Sequence, residues 1–469
     1  MNLSVIAVNS SRRNRAVLAT AASITFLVAL DSSLLNIALP AIRNSFPSAS
    51  TNSIAWVINI YSLTLAAMLI PAGYLADRWG RKRLLSAGVG IFLLGCISCG
   101  ASGSIAQLLV ARLVQAVGGA MALPASLTVI LTHFVGSERA CSVGKWSTAG
   151  ALAAAAGPPL GAVIMHYGSW RILFFLHAPI CVWTLVRCRS AIVNSTGNGS
   201  ISRLFLATPP FGAGTGLFFV AFASDFTSAN PLLRIVVIAC AAAFIALAVA
   251  LVRKQTHFLR SFDRSAMALT GGTTFCFGAV FGSMFVLYDF ALVYQFHFSI
   301  SMAAAMLGAI PLLSIPVARN AGKFHQWCSL QITLLAGATA LVLAVLLSFM
   351  MLHGSFLLAP SIMTVVFSSV GIGLCFPTLS ITAVKNIHAD YFAFVTGVNQ
   401  SCRHLGTVIG VAAVGLMLGS NMPVSFAKAW WLLIGFAAGL LALAIIFWLE
   451  GALTHDQELG PKLASQPQH

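Results

Sequence analysis

Two acidic and two basic side chains interrupt stretches of this sequence that are otherwise apolar. Asp31 lies in FLVALDSSLLNIALP and Asp289 in SMFVLYDFALVYQ, while Arg112 lies in LLVARLVQAVGGA and Arg403 in GVNQSCRHLGTVIGVA. Asp and Glu together number only 10, and burying a charge costs free energy. A carboxyl group removed from water favours its neutral form, so it can bind a proton or a cationic compound, but not both at once. Such competition is a physical basis for exchange.

Arg112 needs a partner if it lies at membrane depth. An unpaired Arg there costs roughly 2.5 to 3.5 kcal/mol, so we expect a counter-charge or a polar cavity. Gln115 is three residues away and shares the same helix face. Asp31 is a candidate counter-charge. A purely structural ion pair for Arg112, and structural hydrogen bonds for Asp31 and Asp289, remain the alternatives.

The apolar stretches that carry these residues are long enough to cross a membrane. Of the 469 residues, 59% are hydrophobic and 8% are charged, whereas soluble proteins carry about 25% charged residues. A helix needs roughly 20 apolar residues to cross the bilayer. We predict fourteen spans, at about residues 16–40, 53–76, 84–103, 106–133, 142–167, 171–188, 204–223, 232–252, 266–296, 301–318, 329–352, 355–384, 391–419 and 427–449.

The basic residues divide unequally between the two sides of this topology. Of the 26 Lys and Arg residues, twenty lie on the side of the N-terminus, four lie on the other side, and Arg112 and Arg403 lie within spans. Cytoplasmic loops are enriched in Lys and Arg, so both termini are predicted to be cytoplasmic. The net charge of +16 then reflects topology and some attraction to anionic lipid, and not a nucleic-acid partner.

The spans are predicted to form two six-helix bundles with two additional helices between them. The first bundle would occupy residues 1–188, and 189–264 would hold a hinge, the two additional helices and a basic cytoplasmic loop. The second bundle would occupy residues 265–450, and a cytoplasmic tail would follow at 451–469. Two bundles around a site near the membrane midplane is the plan of many secondary transporters.

The turn after the second span carries GYLADRWGRKRLL, residues 73–85. Its glycines permit close backbone approach, and its Asp faces several basic residues. A basic loop that served only to set the membrane topology would require neither the glycines nor the Asp. The segment resembles the major facilitator superfamily signature G-x-L-A-D-R-x-G-R-K-x-x-L at every fixed position. The resemblance implies the two-bundle fold and a contact with the other bundle that favours one access state. We call the residues of this contact the charge latch: Gly73, Asp77, Arg78, Gly80 and Arg81.

Four further segments resemble the fourteen-span drug:proton antiporters of that superfamily. ALDSSLLNIALP is similar to their first-span motif, with Ser33 in place of Thr, and LLVARLVQAVGGA to the fourth-span motif whose Arg is linked to proton coupling, with Ala116 in place of Gly. GVNQSCRHLGTVIGVA, which contains Arg403, is similar to their span thirteen. WRILFFLHAP matches with His177 in place of Asn. We interpret His177 as a packing residue, with a titratable role as the alternative.

A ridge of small residues in the fifth span resembles the superfamily's antiporter motif. In AGALAAAAGPPLGA, Gly157 and Gly161 lie four residues apart, which lets another helix approach closely. Pro158 would bend the helix or loosen its backbone. Ala153 and Ala162 depart from the fuller motif, which has Gly at both positions, and an ordinary helix-packing stripe is the alternative. The resemblance implies export.

The second half of the chain matches these patterns less closely. ARNAGKFHQW, where a repeat of the charge latch would fall, offers Gly322 and Lys323 but no Asp. We therefore do not expect a second charge latch.

These features predict a proton-coupled antiporter that exports amphipathic drugs or toxic organic compounds from the cytoplasm by alternating access. Asp31, Arg112 and Asp289 are expected to couple protonation. Asp31, Gln115, Asp289 and Arg403 are expected to line the substrate cavity. A dedicated exporter of a metabolite, siderophore, amino acid or lipid is the alternative. A non-transporting scaffold or sensor gains little support, because the loops are too short for a signalling domain.

The sequence does not indicate an enzyme, a metal protein or a nucleic-acid-binding protein. It offers no Walker A loop, catalytic triad, metal cluster or nucleic-acid module, so we expect no enzyme activity, no catalytic residues, no metal and no cofactor. Protons would be the coupling ion. The expected partners are a small-molecule substrate, protons and membrane lipids, without nucleic acid. The chain is expected to act as a monomer in a bacterial cytoplasmic (inner) membrane.

Overall fold

The computed structural model describes residues 3–49, 51–193, 264–351, 358–385, 387–418 and 422–464, and nearly all of them are helical. The predicted all-α architecture is therefore confirmed for these ranges. Residues 194–263, which hold the predicted spans 204–223 and 232–252 and most of the predicted hinge and basic loop, lie outside the described residues. Ten helical segments within the described ranges are long and apolar enough to cross a membrane.

The first bundle begins with one long helix and ends with two short ones. Its helices are α1 (Leu3–Ser45), α2 (Thr51–Trp79), α3 (Arg81–Gly100), α4 (Ile105–His133), α5 (Gly136–Tyr167), α6 (Trp170–Phe175) and α7 (His177–Ala191). The predicted span 171–188 is thus two helices. Pro179 lies in the first turn of α7 and has no N–H to donate to the preceding turn, which favours a break at this point.

In the second bundle, the predicted spans 301–318 and 391–419 each correspond to a single long helix. Its helices are α8 (Arg264–Phe290), α9 (Ile300–Trp327), α10 (Leu330–Met351), α11 (Leu358–Thr382), α12 (Phe392–Leu418) and α13 (Met422–Ala464). A π-helical turn, Ala291–Gln295, extends α8, and a 3₁₀ turn, Ala389–Tyr391, precedes α12. The last helix continues through much of the predicted tail 451–469.

Local sequence explains several helix ends. Gly80 has φ of 94°, a conformation that favours glycine, and it lets the chain turn between α2 and α3. The hydroxyl of Ser104 accepts a hydrogen bond from the backbone N–H of Gln107 and caps α4. Ser299 caps α9 in the same way through the N–H of Met302.

The helix ends rich in Lys and Arg meet at one end of the molecule, which we call the basic end. Lys82 at the start of α3 donates to the carbonyl of Arg189 at the end of α7, with 2.8 Å between the atoms. Arg139 near the start of α5 lies 5.7 Å from the ring of Phe392 at the start of α12. The two bundles are therefore in contact at the basic end, through α2 with α12 and α5 with α9.

Candidate functional site

A buried charged cluster joins α1 to α4. Asp31, Arg112 and Gln115 are 2%, 1% and 0% exposed. Nη1 of Arg112 lies 2.7 Å from Oδ2 and 2.9 Å from Oδ1 of Asp31, and Nε2 of Gln115 donates to Oδ1 at 2.7 Å. Three residues predicted from two separate segments of the sequence therefore form one hydrogen-bonded group, and Asp31 is the counter-charge of Arg112.

The guanidinium of Arg112 is held from other sides as well. Its Nε donates to the carbonyl of Val57 in α2 at 3.2 Å, and Nη1 lies 2.7 Å from Oε1 of Gln115. The ring of Tyr61 in α2 lies 4.2 Å from the guanidinium carbon, which is a cation–π distance. Sequence reasoning missed Tyr61. The available signal was a phenol within an apolar span of a chain that has only 6 tyrosines.

The two cysteines of α3 pack around this cluster. Nε2 of Gln115 lies 3.1 Å from Sγ of Cys96, and Sγ of Cys99 lies 3.7 Å from Oε1 of Gln115. Both thiols are free and buried. Within the described ranges no group of three or more His, Cys, Asp or Glu side chains is arranged to hold a metal ion.

His177 lies beside Asp31 and is 1% exposed. Its Nδ1 is 2.9 Å from the carbonyl of Leu173 and must carry the ring proton, because a carbonyl can only accept. The ring packs edge-on against Phe92 at 6.0 Å. These contacts agree with a packing residue. However, Nε2 is buried without a hydrogen-bond partner, and His177 and Asp31 line a shared cavity of about 10 Å³.

Asp289 does not lie in the buried position expected for it. Its side chain is exposed near the end of α8 that is opposite the basic end, whereas Leu287 and Tyr288 are buried. Tyr288 stacks on Trp430 with 5.7 Å between ring centroids, which fixes the face of α8 that points inward. The next residue is turned by about 100° around the helix. The expectation of a second buried carboxylate was therefore wrong.

Arg403 of α12 belongs to a second polar cluster, which lies in the second bundle. Its Nε and Nη2 donate to Oε1 of Gln400 at 3.0 and 2.8 Å, and Nη2 lies 3.1 Å from Nε2 of His404. The ring of Phe376 in α11 lies 4.9 Å from the guanidinium carbon. Among the described residues, no carboxylate is paired with Arg403.

The small-residue ridge of α5 packs against α1, which carries Asp31. A Cβ on Gly157 would collide with Ser33, and one on Gly161 would approach Ile37 within 3.2 Å. The hydroxyl of Ser33 donates to the carbonyl of Ala154 at 3.2 Å. The helix α5 is continuous through Pro158. The ridge therefore holds the helix that positions the carboxylate.

The charge latch joins the two bundles at the basic end. The carboxylate of Asp77 accepts hydrogen bonds from the backbone N–H groups of Ala393 at 3.2 Å and Phe394 at 2.8 Å. Both belong to the first turn of α12, where unpaired N–H groups and the helix dipole favour an anion. Nη2 of Arg81 lies 3.7 Å from Asp77 and donates to the carbonyl of Ala389 at 2.6 Å. Asp77 thus caps a helix of the other bundle.

The remaining latch residues are Arg78 and two glycines. Arg78 lies 5.4 Å from the ring of Tyr74, one turn earlier in α2. Gly80 forms the turn that starts α3, and Gly73 approaches the carbonyl oxygen of Ala393 so closely that a Cβ would collide with it.

A second pair of helices closes the basic end through close backbone contacts. A Cβ on Gly144 of α5 would collide with the carbonyl of Ala318 in α9. A Cβ on Gly322 of α9 would lie 2.5 Å from the backbone nitrogen of Cys141 in α5. The segment that lacks the Asp of the charge latch therefore still packs tightly against the first bundle.

We expect Asp77→Asn to weaken the attachment of α12 to α2 without unfolding the protein. Asn keeps the shape and one acceptor oxygen but loses the charge, and hydrogen bonds to charged groups exceed neutral ones by about 1 kcal/mol. Hydrogen exchange at residues 392–396 should accelerate about fivefold. Glu138→Gln removes an exposed carboxylate from the same end and is the matched control. Equal exchange in both variants would contradict this role for Asp77.

A model of the Major Facilitator Superfamily matches residues 21–411. The chain is similar to multidrug resistance protein Stp of Mycobacterium tuberculosis (strain CDC 1551 / Oshkosh), with 27% identity over 406 residues, covering 84% of this chain and 74% of that protein. It is also similar to the methylenomycin A resistance protein of Bacillus subtilis (strain 168), with 26% identity over 445 residues, covering 90% of this chain and 92% of that protein. The solved structure of the proton:xylose symporter XylE bound to 6-bromo-6-deoxy-D-glucose superimposes with a TM-score of 0.69 at 10% identity, covering 94% of this chain and 96% of that chain. At this identity the likeness establishes the fold alone.

Proposed function

Because the chain belongs to the Major Facilitator Superfamily, we propose that it is a proton-coupled antiporter that exports amphipathic drugs or toxic organic compounds from the cytoplasm by alternating access. Two relatives that align with most of the chain are named for multidrug resistance and for resistance to methylenomycin A. Both names support an organic compound as the exported substrate.

The buried ion pair of Asp31 and Arg112 carries the proposal of proton coupling. Arg stays protonated in proteins, so Arg112 places a fixed positive charge beside Asp31. A proton on Asp31 would leave Arg112 buried without a counter-charge. Breaking a buried pair in this way costs about 3–5 kcal/mol. Since every 1.4 kcal/mol is a factor of ten, one proton could shift a two-state equilibrium by roughly a hundredfold or more.

The basic end gives the orientation of the carrier in this proposal. By the positive-inside rule the basic end would face the cytoplasm, together with both chain termini. The arrangement held by the charge latch and the glycine contacts is then the one closed to the cytoplasm. We propose that Asp31 receives its proton from the outside in this state, as substrate leaves. The proton would be released to the cytoplasm after the latch opens and new substrate binds.

The test is transport by the purified protein in liposomes with an imposed pH gradient. A panel of fluorescent amphipathic compounds should move against the direction of proton flow, and a protonophore should abolish this movement. Addition of a transported compound should also drive a proton flux that a pH-sensitive dye inside the vesicles reports. Substrate movement that is insensitive to both the gradient and the protonophore would contradict proton coupling. Movement of a metabolite in place of every drug would favour a dedicated exporter.

A further inference from the structure

The cluster around Arg403 offers hydrogen-bond donors and hardly any acceptor. Arg has no acceptor, so its contact with Nε2 of His404 requires that nitrogen to accept and places the ring proton on Nδ1. Oε1 of Gln400 already receives two hydrogen bonds from Arg403. Nε2 of Gln400 is buried and has no partner. The cluster therefore carries the positive charge of Arg403 and two further kinds of N–H donor, Nε2 of Gln400 and Nδ1 of His404.

The carboxylates at membrane depth do not balance this charge. Asp31 is engaged by Arg112 in the other bundle. Gly278 of α8 lies against the backbone of Arg403, and Asp289 lies eleven residues further along the same helix. At 1.5 Å per residue this is a separation of roughly 16 Å along the axis, which is too far for an ion pair. The charge of Arg403 thus lacks a carboxylate partner among the described residues.

The cluster lies next to the interface between the two bundles. One face of Phe376 meets the guanidinium of Arg403, and its ring stacks parallel to Trp146 of α5 at 5.9 Å with 3° between the planes. Trp146 belongs to the first bundle and Phe376 to the second. Arg403 itself is partly exposed, so the surrounding protein leaves part of its side chain uncovered. Substrate sites of such carriers lie at this kind of interface.

We propose that Gln400, Arg403 and His404 bind the negatively charged group of the exported compound, so that the substrates are amphipathic organic anions of the carboxylate type. A guanidinium and an amide side by side match the two oxygens of a carboxylate, and charge-assisted hydrogen bonds are the strong ones. The partly exposed ring of Phe376, which is backed by the buried ring of Trp146, supplies aromatic surface for the apolar part of the same molecule. This inference rests on the proposed export function and assigns its substrate class.

The experiment compares three ligands that share one apolar body: pyrenebutyrate, pyrenebutyramide and a pyrenebutyl trimethylammonium salt. Equilibrium dialysis against the purified full-length protein should show that the carboxylate binds at least tenfold more tightly than the amide, and that the cation binds most weakly. In Arg403→Gln the preference for the carboxylate over the amide should disappear. Arg403→Lys should retain part of the preference, because it keeps the charge but loses the planar donor pair.

Lys428→Gln is the matched control, because it removes an exposed positive charge outside the cluster and should leave the preference intact. The thermal unfolding midpoint of Arg403→Gln, compared with that of the wild-type protein, reports whether the variant is folded. Tighter binding of the cation by the wild-type protein, or an equal loss of affinity for all three ligands in Arg403→Gln, would overturn the proposal. So would complete displacement of pyrenebutyrate by inorganic phosphate at equal concentration.

Binding and transport separate this inference from the proposed function. Selective binding of the carboxylate without pH-driven export would leave the anion site in place and contradict antiport. Proton-driven export of the amide and the cation, without preference for the carboxylate, would support antiport and overturn the anion site.

Discussion

Asp31→Asn is expected to abolish export driven by a pH gradient while the protein stays folded in the membrane. Asn can still accept the hydrogen bond from Gln115, but it can neither bind a proton nor neutralise Arg112. The buried guanidinium is then permanently unpaired, at a cost of about 3–5 kcal/mol in the arrangement seen here. We expect the gradient-driven rate to fall by roughly a hundredfold or more, with its dependence on pH lost.

The measurement is substrate uptake into inverted vesicles or liposomes at a series of external pH values. Asp31→Glu keeps an ionisable carboxyl group and is the matched control, which should retain a pH dependence even if its rate is lower. Undiminished pH-dependent export in both Asp31→Asn and Arg112→Ala would refute the coupling mechanism.

A double variant separates coupling from stability. Arg112→Gln alone leaves a buried carboxylate without its partner, and Asp31→Asn alone leaves a buried guanidinium. Combining the two removes both uncompensated charges, so thermal stability should recover toward that of the wild-type protein. Transport coupled to protons should not recover, because no titratable group remains in the pair. Recovery of both properties would show that the pair is structural only.

Sequence reasoning identified the members of the buried cluster but could not join them. Charged residues at membrane depth are visible in the sequence because they interrupt apolar runs, and spacing of three residues places Arg112 and Gln115 on one helix face. Whether that face meets Asp31 depends on how α1 packs on α4. The glycine ridge of α5 helps to set that packing, since it brings Ser33 and the rest of α1 close to it.

Asp289 shows why depth along a helix does not determine burial. It lies within the apolar run, near the end of α8 that is opposite the basic end, and its direction is set by the stacking of Tyr288 on Trp430. Tyr61 is the opposite case, because it contacts the buried cluster although the sequence analysis did not single it out. An aromatic residue in an apolar span looks like ordinary core, and only the position of the Arg112 guanidinium over its ring distinguishes it.

The charge latch was recognisable because it combines glycines, an acid and basic residues within one turn. Its partner was not recognisable, because the groups that Asp77 contacts are backbone N–H groups more than three hundred residues later in the chain. Any helix N-terminus offers such groups, whatever its side chains. The glycine contact between α5 and α9 was missed because a glycine within a helix gives no signal of which backbone it touches.

Gly73→Val is expected to prevent closure of the basic end and thereby to stop transport. A Cβ on Gly73 would overlap the carbonyl oxygen of Ala393 and lie 3.1 Å from Cα of Phe394. Both are backbone atoms of the neighbouring bundle, so they cannot move aside as a side chain could. Overpacking of this kind typically costs 1–3 kcal/mol, and here the cost falls only on the arrangement in which α2 meets α12. The closed arrangement should therefore become roughly tenfold to a hundredfold less populated.

Hydrogen exchange and transport together test this expectation. Amides at the start of α12 should exchange faster in Gly73→Val, as in Asp77→Asn but to a larger extent, and pH-driven export should be lost. Gly90→Val is the matched control, since a Cβ on Gly90 in α3 of the same bundle meets no atom within 4 Å. Wild-type transport in Gly73→Val would show that the carrier does not need this closure.

Gly322→Val examines the other closing pair, α5 and α9, where the glycine contacts are with backbone atoms. Its added methyl groups would press against the backbone of Cys141. If both helix pairs close as one rigid-body movement, this variant should lose transport as well, and exchange at the start of α12 should accelerate although α12 itself is unchanged. Faster exchange confined to α5 and α9 would instead mean that the two contacts open independently. The coupling between the bundles would then reside in the charge latch alone.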